Sequence, residues 1–170
     1  MQTAFHSEFI EQSIYRMHEN TPRISKCLDQ LTEEEVWQRP NQASNSMGNL
    51  VLHLCGNIRQ YIVSGLGQQP DIRTRDAEFA ALGGISKKEL LEKLSSTIRE
   101  AVAVMRAADE KSLLTTRSVQ AYQLTGIGMI IHVVEHYSYH TGQIAFWTKQ
   151  LRNQDLGFYA GVDLNAKNEV

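Results

Sequence analysis

Three histidines, His132, His136 and His140, recur at intervals of four inside the apolar and aromatic stretch MIIHVVEHYSYHTGQIAFW, residues 129–147. Imidazole is the commonest metal ligand among side chains and the one whose charge changes near neutral pH, so the pattern points to a metal site, a pH-sensitive cluster or a packed core. On an α-helix, residues four apart share a face and lie about 6 Å apart along the axis, close enough for two rings to converge on one ion. His132 and His140 are separated by roughly 12 Å along that axis, too far for both to reach an ion at the ~2.0–2.1 Å of a zinc–nitrogen bond. The converging pair is therefore His132 with His136 or His136 with His140, and spacing alone does not choose.

Each pair has something in its favour. HVVEH, residues 132–136, matches the H-x-x-E-H string of inverted zinc peptidases, with Glu135 in the place of the base. That chemistry needs a further acidic ligand, and the only acidic residues after His136 are Asp155, Asp163 and Glu169. After His140 the sequence runs Thr141-Gly142-Gln143, where the missing side chain of Gly142 leaves room for a ligand and Gln143 is a candidate pocket residue. A third ligand must come from another segment, because catalytic zinc sites use three protein ligands and keep one position open. His53, in NLVLHLCGNI between Leu50, Leu54 and Ile58, is the best candidate; His6 and His18 are weaker. The competing reading is plain packing: a histidine on an apolar face is commonly a hydrogen-bonded core residue, and Tyr122, Tyr137, Tyr139, Phe146 and Trp147 read as core and interface aromatics.

These residues must be positioned by helices. Phe5, Phe9, Met17, Ile24, Leu28 and Leu31 recur at helical intervals and predict a first helix over about 3–31, which Pro22 should kink or restart. Thr32 to Glu35 reads as a capping box for a short helix ending before Pro40. A second long helix should begin near Asn45 or Ser46, carry Leu50, His53, Leu54, Ile58 and Tyr61, and stop at Ser64 to Pro70. Residues 65–85 read as a long connection holding Glu78, Arg73 and Arg75. Such a crossover suits two parallel neighbours in a bundle. Ser86 to Glu89 is a second capping box, opening a third helix with Leu91, Leu94, Ile98, Ala101 and Met105. Residues 113–124 alternate loosely, as a short hairpin would, and a fourth helix runs over about 125–151. The fold class is all-α: one four-helix-bundle domain over residues 1–170.

The bulk composition agrees. A chain of 170 residues with 17 basic and 19 acidic side chains, net charge −2, is about one domain and lacks the basic footprint of a nucleic-acid binder. Neither a secretory signal nor an apolar run of about 20 residues is present, so the expectation is a soluble, cytoplasmic protein. Cys27 and Cys55 are too few for a disulfide framework and read as reduced packing thiols.

Taken together, LVLHLCGN, the loop RTRDAEF and the closing HVVEHYSYHTGQI resemble the DinB/YfiT-like four-helix-bundle metalloproteins, in order and over nearly the whole chain. The resemblance implies that His53, His136 and His140 hold one divalent ion, zinc or nickel, with His132 outside the ligand set. It also implies an up-down-down-up bundle, a homodimer, and a small-molecule substrate. For function it implies a metal-dependent enzyme that activates a low-molecular-weight thiol, as a thiol S-transferase does, or a hydrolase that activates water; a non-catalytic metal-binding bundle is the reading from another class. Glu135 and Glu78 are candidate base or supporting groups, though each is of a kind that is commonly a solvated charge. Arg73 and Arg75 are placed to attract an anionic cosubstrate.

Overall fold

The protein is described here by a computed structural model covering residues 3–168, so Glu169 lies outside the described residues. Thr3 caps α1 (Ala4–Asp29), its hydroxyl accepting from the His6 amide. The buried stripe is Ile10, Ile14, Met17, Ile24 and Leu28. Phe5, expected on that stripe, is instead exposed, because it stands roughly 140° round the helix from Ile10 at 3.6 residues per turn. Nor does Pro22 break α1. The side chains of Asn20 and Thr21 donate to the carbonyls of Arg16 and Met17, at 3.1 and 2.8 Å, in the turn that the proline disturbs. Pro22 and His18, whose carbonyl the missing N–H would have met, are both exposed to solvent.

The capping box at Thr32 and Glu35 opens α2 (Glu33–Trp37), and a second, from Ser46 and Asn49, opens α3 (Met47–Ile58). The helix ends at Leu66, within the expected Ser64 to Pro70 stretch, but its last part, Arg59–Leu66, has π-helical geometry, whose wider turn buries the consecutive residues Tyr61, Ile62 and Val63. The connection beyond it is not bare loop, since it carries α4 (Arg75–Ala80). Asn49 pins α4 to α3, donating from Nδ2 to the carbonyls of Glu78 and Ala81 at 2.9 and 2.8 Å. Ser86 and Glu89 cap α5 (Lys87–Ala107), followed by α6 (Glu110–Leu114). The antiparallel hairpin β1 (Thr116–Val119) and β2 (Tyr122–Thr125) leads to α7 (Gly126–Arg152), capped by the Thr125 hydroxyl.

Residue pairs that touch give the helix directions. Thr21 meets Tyr137 and Gln30 meets Arg152, so α1 and α7 run parallel. Arg59 meets Glu100 and Gly67 meets Val104, so α3 and α5 also run parallel. Met47 meets Thr148 while Asn57 meets His132, so α3 and α7 are antiparallel. The order is up, down, down, up, and the 67–86 segment supplies the crossover that two parallel neighbours require. Tyr137 is buried in the core, with its hydroxyl 3.0 Å from that of Thr21. Tyr122, Tyr139 and Phe146 do not join it: each is more than half exposed. Cys27 and Cys55 are free and buried, and burial pushes the Cys55 thiol up to about 12. Among the described residues, no helix is long and apolar enough to cross a membrane.

Candidate metal centre

Because α3 and α7 are antiparallel neighbours, successive turns of one meet successive turns of the other in reverse. His53 faces His136 and His140, and Asn57, one turn on, faces His132. The ring centroids lie 4.8 Å apart for His53 and His136, 5.1 Å for His53 and His140, and 4.4 Å for His136 and His140. One ring nitrogen from each of the three falls within 4.8 Å of the others. His132 stands outside this group, stacked on Tyr61 at 4.0 Å with its Nε2 3.1 Å from Asn57 Nδ2.

Hydrogen bonds decide which nitrogens are bare. His53 Nδ1 lies 2.9 Å from Glu78 Oε2, and Arg73 donates to both oxygens of that carboxylate, from Nε at 2.7 Å and Nη2 at 2.8 Å. Burial alone would raise the Glu78 carboxyl, but the hydrogen bonds from Arg73 and His53 outweigh it and hold the group below its ordinary value. Glu78 is therefore ionised and can only accept; Arg73 Nη2 also lies 3.1 Å from His53 Nδ1, but its shorter contact, 2.8 Å, is to Glu78 Oε2, so His53 Nδ1 carries the proton toward that oxygen and Nε2 presents its lone pair. Likewise His140 Nδ1 lies 2.7 Å from Gln143 Oε1, an amide oxygen that accepts, which leaves His140 Nε2 bare. His136 points Nε2 at His53 Nε2 across 3.1 Å, while its Nδ1 is buried without a partner among the described residues. Burial, with His140 and His53 adding to it, drives His136 down to about 3; burial also lowers His140. Both rings are neutral at pH 7, the form that ligates.

This donor set fits a transition metal. Two nitrogens bound to one ion at ~2.0–2.1 Å lie roughly 3.0–3.4 Å apart, and the His53–His136 separation falls in that interval. A set of imidazoles without carboxylate suits zinc, nickel, copper or iron rather than magnesium or calcium.

The sequence picked out most of these residues and misjudged some. Glu78 and Arg73, read as loop charges of a commonly solvated kind, are buried against each other, with the Arg73 side chain 4% exposed. Arg73 is thus occupied by Glu78 and, through Nη1, by Gln60, and does not reach outward for an anion. Arg75 lies over the Phe79 ring instead. Glu135 is exposed on α7. Gly142 opens on free space, where an added Cβ would meet nothing within 4 Å. Missed altogether was Gly56, where a Cβ would stand 1.8 Å from Glu78 Oε1; only a residue without a side chain lets the carboxylate close on His53 there. A glycine in mid-helix, costing about 1 kcal/mol against alanine, was the available signal.

Residues 4–160 match the family described as "Protein of unknown function (DUF1572)". No curated protein matches the chain. Among solved structures, a conserved protein from Enterococcus faecalis superposes with a TM-score of 0.70 at 15% identity, covering 91% of this chain and 99% of its own. A DinB-like protein from Bacillus cereus gives 0.66 at 20% identity, over 85% and 91%. The DinB-like protein YjoA from Bacillus subtilis gives 0.65 at 13% identity, over 85% and 94%.

Proposed function

The chain belongs to the DUF1572 family with a DinB-like all-α fold, and on that premise we propose that it is a metal-dependent enzyme holding one zinc or nickel ion on His53, His136 and His140. The observation that carries the reading is the hydrogen bonding that leaves His53 Nε2 and His140 Nε2 bare beside His136 Nε2. A divalent ion there would supply Lewis acidity, lowering the pKa of a water or thiol bound beside the imidazoles. The protein's own part is to hold the rings: Glu78, clamped by Arg73, fixes His53, and Gln143 fixes His140. Burial of His53 and His140 limits water around them.

Between the two chemistries, one observation favours the thiol. The carboxylate nearest the centre, Glu78, is taken up by Arg73 and His53 and is not free to take a proton from water. A thiol needs no such base. We therefore prefer thiol S-transfer, with hydrolysis second. Two measurements test the proposal. Tag-free protein purified without chelator should carry close to one zinc or nickel per chain by mass spectrometry, and the cobalt-substituted form should develop a sulfur-to-metal charge-transfer band with a small biological thiol. Protein that refuses added metal sinks the reading, and an unchanged cobalt spectrum across a panel of thiols moves hydrolysis ahead. The family resemblance also supports a homodimer as the working assembly, which light scattering tests; a monomeric mass at micromolar concentration counts against it.

A further inference from the structure

Glu78 and Arg73 form part of the wall of a cavity that none of the three histidines lines. It measures about 370 Å³ and lies between α3 with its π-helical end, the 70–74 segment, α4 and α5. We propose that it is a second ligand site, separate from the metal centre, and that it takes a small amphiphilic monoanion: an apolar tail ending in one carboxylate or sulfonate group. The proposal does not rest on the metal reading.

The floor of the cavity is apolar. Leu52, Cys55 and Val63 are buried there, and the half-buried Ala81 and Ile85 continue the same surface. At the rim stands Ile72, an apolar side chain left 75% exposed, which a bound tail would cover. Covering such surface is favourable in proportion to the apolar area taken from water. The volume falls within the range of small-molecule sites. Arg59, Val63 and Ser64 reach the wall from the π-helical stretch, a geometry frequently found at functional sites.

The charged part of the wall selects the sign. It consists of Arg59, Arg73, Lys93, Asp71 and Glu78, three cations against two carboxylates. All but Lys93 are engaged within the chain. Arg73 holds Glu78, and Arg59 pairs with Glu100. Asp71 accepts from Gln60 Nε2 at 2.7 Å and from the Arg73 amide at 3.0 Å, one bond to each oxygen. Lys93 makes no ion pair among the described residues. Its ammonium, on a flexible and exposed stem of α5, can meet an anionic head at the mouth while the tail lies on the floor. An ion on His53 Nε2 would add charge of the same sign, so the preference for an anion holds whether or not the centre is filled.

Calorimetric titration of the zinc-loaded full chain with 1-octanesulfonate, 1-octanol and octyltrimethylammonium tests this. The sulfonate should bind roughly fivefold tighter than the alcohol, and the ammonium most weakly. Lys93→Gln should remove that advantage by weakening the sulfonate alone. Lys88→Gln, at an exposed lysine of α5 outside the cavity, should change neither. Ile72→Ala should weaken sulfonate and alcohol alike, several-fold. Both substitutions in the cavity wall are at exposed positions, so the fold is retained. An alcohol that equals the sulfonate overturns the proposal, as does a sulfonate affinity indifferent to Lys93→Gln or to Ile72→Ala, or equally sensitive to Lys88→Gln. Sulfonate binding should also survive removal of the zinc with a chelator. Binding that disappears with the zinc places the probe on the ion and overturns the proposal, while binding to a chain that refuses zinc supports this site and sinks only the metal reading.

Discussion

His136 is the residue on which the centre turns, with rings of His53, His140 and His132 at 4.8, 4.4 and 5.5 Å. Truncating it or His140 to alanine should abolish ion retention after gel filtration. His132→Ala should keep the ion and cost about 1 kcal/mol for its lost stacking on Tyr61, read by denaturant unfolding. Loss of metal in the His132 variant with retention in the His140 variant would mean that the other pair of α7 holds the ion. Gly56 allows a sharper separation of structure from ligation. Gly56→Ala favours the helix by up to about 1 kcal/mol, yet its Cβ must displace the Glu78 carboxylate that orients His53. Ion affinity, by competition with a chromophoric chelator, should fall roughly 10–100-fold while the fold is retained. Unchanged affinity would show that Glu78 does not support the site.

At the scale of elements, what could be read in advance was whatever is encoded locally. The capping boxes at Thr32 and Ser86 announce their helices because cap and partner are three residues apart, and the His53 and His140 faces follow from helical period. What escaped depends on contacts between segments distant in sequence. The π-helical continuation exists because Tyr61, Ile62 and Val63 can all be buried between neighbouring helices, which no local propensity reveals. Likewise α4 is held by Asn49, and the burial of Arg73 is possible only against Glu78 on that helix. Long-range ion pairs escaped in the same way, and one gives a pH prediction. Arg152 at the end of α7 donates to Glu35 in α2, with Nη1 2.8 Å from Oε1, and its hydrogen bonds draw the Glu35 carboxyl down to about 2. A carboxyl lowered by folding contributes stability above its ordinary value near 4.5 and loses that contribution as pH falls toward 2. Glu35→Gln should therefore lower the urea midpoint at pH 7, and its difference from the parent should shrink steadily between about pH 4.5 and pH 2. A difference independent of pH would assign the effect to packing.

Over the whole molecule, the three histidines join only two of the four long helices: His53 lies on α3, and His136 and His140 lie on α7. The other two, α1 and α5, supply none of them, yet both pack on α3 or α7 through the shared core of Leu28, Leu54, Leu94, Met105 and Ile144. An ion that binds the assembled centre and has no equal site in the unfolded chain stabilises the whole bundle by mass action, by about 2.7 kcal/mol at a hundredfold excess over its dissociation constant. For a chain of 170 residues that corresponds to a rise of roughly 5–10 °C in Tm. If the core couples the helices as the packing implies, zinc should shift the entire helical melt as one transition, including the α1 and α5 signal that circular dichroism cannot separate from the rest. The same titration on His136→Ala should leave Tm where it was. A zinc-dependent rise of equal size in that variant would place the ion elsewhere on the molecule, and a melt that splits in two on adding zinc would mean that α3 and α7 respond without the other pair.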